Sequence, residues 1–253
     1  MSQLVLSLFP GLGLFDWAFE SAQFCVVRGP DLILGTDIKS FHPPRGRFDG
    51  VIGGPPCQAF SNLVHLVRHV HGEEAVAENL IPEFERVVLA ARPRWFVMEN
   101  VSAAPDPKIT GYHVQSVVVN NRWFGGVQNR ERRFAFGSAY KFMPQKFVTA
   151  LLNLRQKEPK EFEPAVCCSN GGRPSKKNRL STAKAYPKRS RAKEMELQGV
   201  DPKRVAGLPF SAKGLKKAVG NGVPLFMGRA VAAAVVAATQ FIEGGRDEGP
   251  GTR

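Results

Sequence analysis

Four short stretches of this chain combine residue types that can do chemistry. In Gly53-Gly54-Pro55-Pro56-Cys57-Gln58-Ala59-Phe60-Ser61 a cysteine follows two prolines, whose fixed φ angles stiffen its approach. A thiol on such a loop is a nucleophile where its surroundings favour the thiolate. A lone cysteine is more often a buried structural residue, although a core cysteine has no use for the glycine and proline around it. In Met98-Glu99-Asn100-Val101 a carboxylate ends an apolar run. Partial desolvation there raises its pKa and lets it hold or deliver a proton, or the glutamate simply caps a neighbouring element. Gln128-Asn129-Arg130-Glu131-Arg132-Arg133 sets guanidiniums just before another apolar run. They read either as charges guarding an exposed strand edge or as groups placed over an anionic intermediate. Finally, Phe9-Pro10-Gly11-Leu12-Gly13-Leu14 is a glycine turn straight after an apolar run. It admits a ligand close to the backbone or only satisfies backbone angles; the phosphate-cradling pattern G-x-x-x-x-G-K-[ST] is absent.

The elements that must position these residues follow from the hydrophobic pattern. Leu4 to Phe9 reads as a buried strand, Phe15 to Ala22 as a helix and Val51-Ile52 as a second strand. Apolar residues at Leu80, Ile81, Phe84, Val87, Val88 and Ala91 mark a helix, which Pro93 separates from a strand at Trp95 to Met98. Val114 to Val119 and Phe134 to Phe136 add further strands. Strands alternating with helices predict an α/β fold with a mostly parallel sheet covered on both faces. Ligands of such sheets bind beyond the carboxyl ends of the strands, where Gly11, Pro55 and Glu99 all fall.

Charge adds a partner class. Lys and Arg number 35 against 22 Asp and Glu, a net +13, which points to a polyanion. Nine of the basic residues lie between Arg173 and Lys193, with no acid among them. The run includes Lys176, Lys177, Arg179, Lys188, Arg189 and Arg191, and it also holds Gly171, Gly172, Pro174 and Pro187 at or near its start and end. It reads as a loop-rich stretch that is either a solvated face or a contact for a phosphate backbone, and the second fits a block that otherwise repels itself. The length suits one domain with a small inserted one. Leu225 to Ile242 is interrupted by Arg229, too broken for a bilayer span. No secretory leader pattern precedes the first strand, and Cys25, Cys57, Cys167 and Cys168 have no C-x-x-C spacing. The expectation is a cytoplasmic chain with reduced cysteines, no membrane and no metal; His65, His69 and His71 lack an H-E-x-x-H arrangement and read as a mobile loop that closes over nucleic acid.

Taken in order along the chain, these stretches resemble the signatures of the DNA (cytosine-5)-methyltransferases, over nearly its whole length. Phe9-Pro10-Gly11-Leu12-Gly13 resembles the first cofactor motif, Pro56-Cys57-Gln58 the catalytic loop, and Glu99-Asn100-Val101 and Gln128 to Arg132 the next two signatures. Arg191-Ala192-Lys193-Glu194 with Leu197-Gln198-Gly199 is similar to the ninth motif, and Gly220-Asn221-Gly222-Val223-Pro224 to the tenth. The resemblance implies a Rossmann-like sheet that binds S-adenosylmethionine and methylates C5 of a cytosine flipped out of duplex DNA. It implies that Cys57 attacks C6, that Glu99 holds N3 and that Arg132 helps to orient the base and the intermediate, with Arg130 also among the catalytic residues. Phe9, Gly11, Gly13, Asp31, Asp37, Pro55, Asn221 and Val223 would then line the cofactor. Gln58, Ser61 and the basic residues Lys176, Lys177, Arg179, Lys188, Arg189 and Arg191 would meet the DNA. The family pattern divides the chain into a discontinuous catalytic and cofactor domain, 1–137 plus 208–253, and a small target-recognition region, 138–207. A monomer on DNA, in a bacterial or phage-infected cell, completes the expectation.

The sequence departs from the pattern in two places. Leu14 stands where the first motif has another glycine, and the stretch from Gln23 to Gly50 is short. Only Asp31 offers an acid for the cofactor ribose, with Asp37 assigned to the adenine. Two other readings accompany the first: a transfer RNA cytosine-5 methyltransferase, since one branch of the same fold has that substrate, and a catalytically degenerate DNA-binding protein on the same scaffold.

Overall fold

A computed structural model describes residues 2–56, 78–166 and 189–240. Its elements are β1 (Leu4–Leu8), α1 (Leu14–Ser21), β2 (Cys25–Arg28), β3 (Gly50–Gly53), α2 (Ile81–Ala91), β4 (Trp95–Asn100) and β5 (His113–Asn120). There follow β6 (Gln128–Asn129), β7 (Glu131–Ser138), α3 (Met143–Asn153), β8 (Glu163–Pro164), α4 (Arg191–Leu197), α5 (Pro202–Val205), α6 (Ala212–Asn221) and α7 (Leu225–Thr239). Six strands form one sheet in the order β2-β1-β3-β4-β7-β5, and β6 pairs with β8 apart from it. The pairings of β1 with β2 and β3, and of β3 with β4, are parallel; β7 is antiparallel to both β4 and β5. The predicted α/β architecture is the one observed, with an antiparallel edge.

Alternation along the strands sorts the core into two layers. Trp95, Val97, Phe134 and Phe136 face one layer, where they pack with Phe15 and Phe19 of α1, Phe147 and Leu151 of α3, and Val231 and Val235 of α7. Phe96, Met98 and Ala135 face the other, against Phe84, Val87, Val88 and Ala91 of α2. The spacing of those four residues makes the single buried stripe of an amphipathic helix, which begins with Pro82 and Glu83 in its first turn and stops at Arg92 in the left-handed conformation. A third cluster joins Leu12, Leu14 and Trp17 to Met195, Val200, Val205 and Leu215. Among the described residues no single helix is long and apolar enough to cross a membrane. The apolar α7 lies in the core instead, wedged beside α1 and α3.

Two expectations change. The recognition region was expected to begin at 138 and run to 207, yet α3 lays Met143, Phe147 and Leu151 on the sheet, and α4 and α5 bury Met195, Leu197 and Val205. Among the described residues their apolar faces pack on the sheet and on α1, α6 and α7, as those of the flanking catalytic and cofactor elements do. Between Gln23 and Gly50 the chain forms the short edge strand β2 and two 3-10 turns, Leu32–Leu34 and Ile38–Ser40. The strand had not been expected, because Cys25-Val26-Val27-Arg28 carries too little apolar pattern to stand out.

Close packing fixes some backbone positions absolutely. In the β3–β4 register Gly50 lies opposite Trp95, and a Cβ there would sit 2.2 Å from the indole. Gly50→Ala is expected to lower the unfolding free energy in urea by about 1–3 kcal/mol or more, the usual range for overpacking a filled core.

Candidate active site

Three parallel strands deliver their ends to one edge of the sheet. β1 runs into Phe9 and the glycine turn, β3 into Gly54-Pro55-Pro56, and β4 ends in Glu99 and Asn100. The antiparallel β7 starts at this edge, and its register sets Phe134 opposite Glu99. Arg132 is two residues earlier on the same face, a diagonal neighbour of Glu99. Its Nε lies 2.8 Å from Glu99 Oε1, with the side chains 17% and 10% exposed.

The surroundings of Glu99 are dry and crowded. Burial pushes its carboxyl above the ordinary glutamate range, against the pull of the Arg132 and Arg130 guanidiniums and the hydrogen bond from Arg132. A Cβ on Gly54 would come within 3.0 Å of Glu99 Oε2, so only glycine lets the proline loop pass this close. Asn100 fixes that loop from the next position: its Nδ2 donates to the carbonyl of Pro55 at 3.2 Å, while its Oδ1 accepts from the amide of Val101. Pro55 is itself buried. A carboxyl that keeps a proton readily, with a guanidinium on one side and a rigid loop on the other, can donate to a ring nitrogen and stabilise charge beside it.

The glycine turn is built around backbone strain. Phe9 has a φ of 55°, rare for a side chain of this kind, and its amide is held by the carbonyl of Pro30 at 3.1 Å. Gly11 has a φ of 56° and open space where a Cβ would point. Asp31 reaches the turn: Oδ2 accepts from the Gly11 amide and Oδ1 from the Ile33 amide, both at 2.8 Å. Each oxygen keeps a further lone pair for a ligand hydroxyl. Open backbone with an adjacent carboxylate fits the nucleoside of S-adenosylmethionine. Asp37 is exposed and caps the second 3-10 turn through the Lys39 amide. Val223 is buried among Phe15 and Phe19, and Asn221 is exposed at the end of α6.

Beneath the turn lies a group the sequence did not reveal. Asp16 of α1 is fully buried, accepts from the Ser7 hydroxyl and pairs with Arg28 Nε at 3.0 Å. Burial raises its pKa above the usual aspartate value, partly offset by the Ser7 hydrogen bond and by Arg28. The Arg28 guanidinium lies against Gly13, where a Cβ would be 2.4 Å from Nη2. An aspartate inside Leu14-Phe15-Asp16-Trp17-Ala18-Phe19 was the available signal, since a charge in so apolar a helix needs a partner.

Leu14, the departure from the glycine pattern, also finds its reason. It is buried and fills the space beside Gly222, where a Cβ would meet its Cδ1 at 2.5 Å. The bulk missing from one loop is supplied by the other.

Two predicted site residues have different work. Arg130 is 3% exposed and donates to three carbonyls, those of Val166, Gly220 and Gly222, so it holds backbone where an orienting role toward the base had been expected. Arg189 pairs with Glu163 at 2.7 Å with its side chain 8% exposed, which withdraws it from the set of DNA-facing residues. Arg191 is exposed at the start of α4. Cys57, Gln58, Ser61, the three loop histidines, Lys176, Lys177, Arg179 and Lys188 lie outside the described residues. Among the described residues no cluster of His, Cys, Asp or Glu could hold a metal ion.

The profile of the C-5 cytosine-specific DNA methylases matches residues 35–199. The chain is 27% identical over 164 residues to the type II methyltransferase M.NgoPII of Neisseria gonorrhoeae, covering 53% of this chain and 47% of that protein. It is 26% identical over 166 residues to the orphan methyltransferase M.SPRI of Bacillus phage SPR, covering 53% and 37%. It thus spans about half or less of the length of these curated relatives. The crystal structure of the S. pombe Dnmt2 methyltransferase superposes with a TM-score of 0.64 at 11% identity, covering 92% of this chain and 98% of that one. The Entamoeba histolytica methyltransferase EhMeth superposes with a TM-score of 0.59 at 10% identity, covering 96% and 99%. Both likenesses are of fold.

Two outcomes test the geometry. Glu99 binds protons more tightly folded than unfolded, so its part of the stability is full below the ordinary glutamate value of about 4.3 and is lost as pH rises through the raised native one. Urea midpoints measured against pH should therefore fall less steeply over that window in Glu99→Gln than in the parent. Gly222→Ala should cost about 1–3 kcal/mol. Combined with Leu14→Ala it should cost less than the sum of the two single changes, as measured by chemical denaturation.

Proposed function

The chain belongs to the C-5 cytosine-specific DNA methylase family, and we propose that it transfers a methyl group from S-adenosylmethionine to C5 of a cytosine in duplex DNA. The observation that carries this reading is the buried pair of Glu99 and Arg132 beside the Pro55-Pro56 loop that leads to Cys57. The cofactor, held over Phe9, Gly11 and Asp31, supplies an electrophilic methyl group. Cytosine C5 is too weak a nucleophile to take it unaided, and the target ring must leave the base stack to be reached. The Cys57 thiolate forms a bond to C6, and the electron density this adds to the ring is met at N3 by a proton delivered from Glu99, whose burial raises its proton affinity. Arg132 fixes the carboxyl in place and stabilises charge beside the ring. Once C5 carries the methyl group, solvent water takes its proton, the C–H electron pair re-forms the C5=C6 double bond as the S–C6 bond breaks with its own pair returning to sulfur, and the N3 proton goes back toward Glu99.

The DNA-facing surface is the basic run from Lys176 to Arg191, without Arg189. In this reading the recognition region narrows to about 154–190, and a monomer in a bacterial or phage-infected cytoplasm is the working form. Gln58 and Ser61, next to Cys57, keep their assigned contacts with the DNA. A transfer RNA presents the same phosphate charge, so substrate choice is settled by competition and not by electrostatics.

The test is incorporation of labelled methyl from S-adenosylmethionine into mixed-sequence duplex DNA, with bisulfite sequencing of the product. Cys57→Ala is expected to lower incorporation by about 10³-fold or more and Glu99→Gln by about 10²–10⁴-fold. Label that goes to transfer RNA in a competition overturns the DNA assignment. A folded protein that gives no calorimetric heat with S-adenosylmethionine overturns the catalytic reading in favour of a degenerate scaffold.

A further inference from the structure

Gln128, Arg130 and Gln198 form one buried polar knot beside the site of Glu99. Gln128 and Arg130 hold the two ends of a single residue: Gln128 Oε1 accepts from the amide of Val166 at 3.1 Å, and Arg130 Nη1 donates to its carbonyl at 2.8 Å. The two side chains do for Val166 what a neighbouring strand would do. On the other side Arg130 Nη2 donates to the carbonyls of Gly220 and Gly222, at 3.0 and 3.2 Å. Gln198 closes the circuit. Its Nε2 donates to the carbonyls of Val219 and Gly222, and its Oε1 accepts from Gln128 Nε2, which also donates to the carbonyl of Leu197.

These two flanks face different ligands. Val166 is where the chain enters the basic run, and the ion pair of Glu163 with Arg189 holds the far end of that run close by. Gly222 packs on Leu14, the first residue after the glycine turn. Both amide hydrogens of each carboxamide and one lone pair of each oxygen are engaged, and the bonds from Arg130 are charge-assisted in a largely buried site. A shift of Val166 or of Gly222 alone strains or breaks bonds that are mostly shielded from water, which ties the movement of one flank to the other.

We propose that Arg130 and Gln198 are positioning residues that couple the nucleic-acid flank at Val166 to the cofactor flank at Gly220–Gly222. The proposal rests on the methyltransferase reading above. Coupling of this kind is reciprocal: DNA tightens the hold on the cofactor by the factor that the cofactor tightens the hold on DNA.

The experiment is calorimetric titration of the full chain with S-adenosylhomocysteine, with and without saturating mixed-sequence duplex DNA. The parent protein is expected to bind it about tenfold more tightly with DNA present, within the common range for linked sites. In Arg130→Lys, which keeps the charge but loses the fork, and in Gln198→Met the ratio should fall below about twofold, with each ligand still bound alone. A loss confined to packing would instead weaken both bindings and leave the ratio unchanged. Amide exchange in the parent needs no variant: S-adenosylhomocysteine alone should slow exchange at Val166. A parent ratio of one, variants that keep the parent ratio, or exchange at Val166 that ignores the ligand each overturn the coupling. If S-adenosylhomocysteine does not bind at all, the functional reading fails and the coupling fails with it.

Discussion

Everything at the active edge depends on keeping one carboxyl buried. Glu99 lies near the end of β4 inside the sheet, where little water reaches it and where ionisation is opposed by desolvation. Removing the opposing charge would leave it stranded; removing the burial would make it an ordinary acid. The fold meets both demands through strand direction. Four strands run parallel and leave their carboxyl ends at one edge, but β7 runs the other way and begins there. A parallel strand in its place would bring a chain end, and no arginine, beside Glu99.

At the far end of the strands Gly50 and Gly137 are small because the rings of Trp95 and Phe96 occupy the space a Cβ would need. At the active edge Gly54 is small because Glu99 is close, and its lack of a side chain lets backbone come within reach of the carboxyl. At the neighbouring strand end a second buried acid, Asp16, is served by a hydroxyl and a guanidinium and holds α1 under the glycine turn. The two acids share a physical situation and differ in access, since the Glu99 side chain keeps a tenth of its surface exposed beside Gly54 while that of Asp16 keeps none.

Much of this was legible in the residues. Strands of four to six apolar residues, helices with one buried stripe and glycine or proline at their ends carry their own address, and the pairing of Glu99 with Arg132 falls where the order of the stretches put it. What escaped was tertiary. Arg130 and Arg132 stand two positions apart with the same side chain, and only the packing shows that one holds a carboxylate and the other three carbonyls. Arg189 belongs by composition to a basic run, yet a single glutamate from β8 takes it out of service. The edge strand β2 has too little apolar pattern to be seen, and the buried face of α3 shows only once Met143, Phe147 and Leu151 lie on the sheet.

The stretch from Gln128 to Phe134 places its working side chains at every second position, with strand on either side of Arg130. Sheet geometry therefore acts on this segment like a reading frame. Substitution at any one position changes one contact, whereas gain or loss of a single residue turns every later side chain to the opposite face. A change of length is therefore barred within this stretch, where a change of side chain is not.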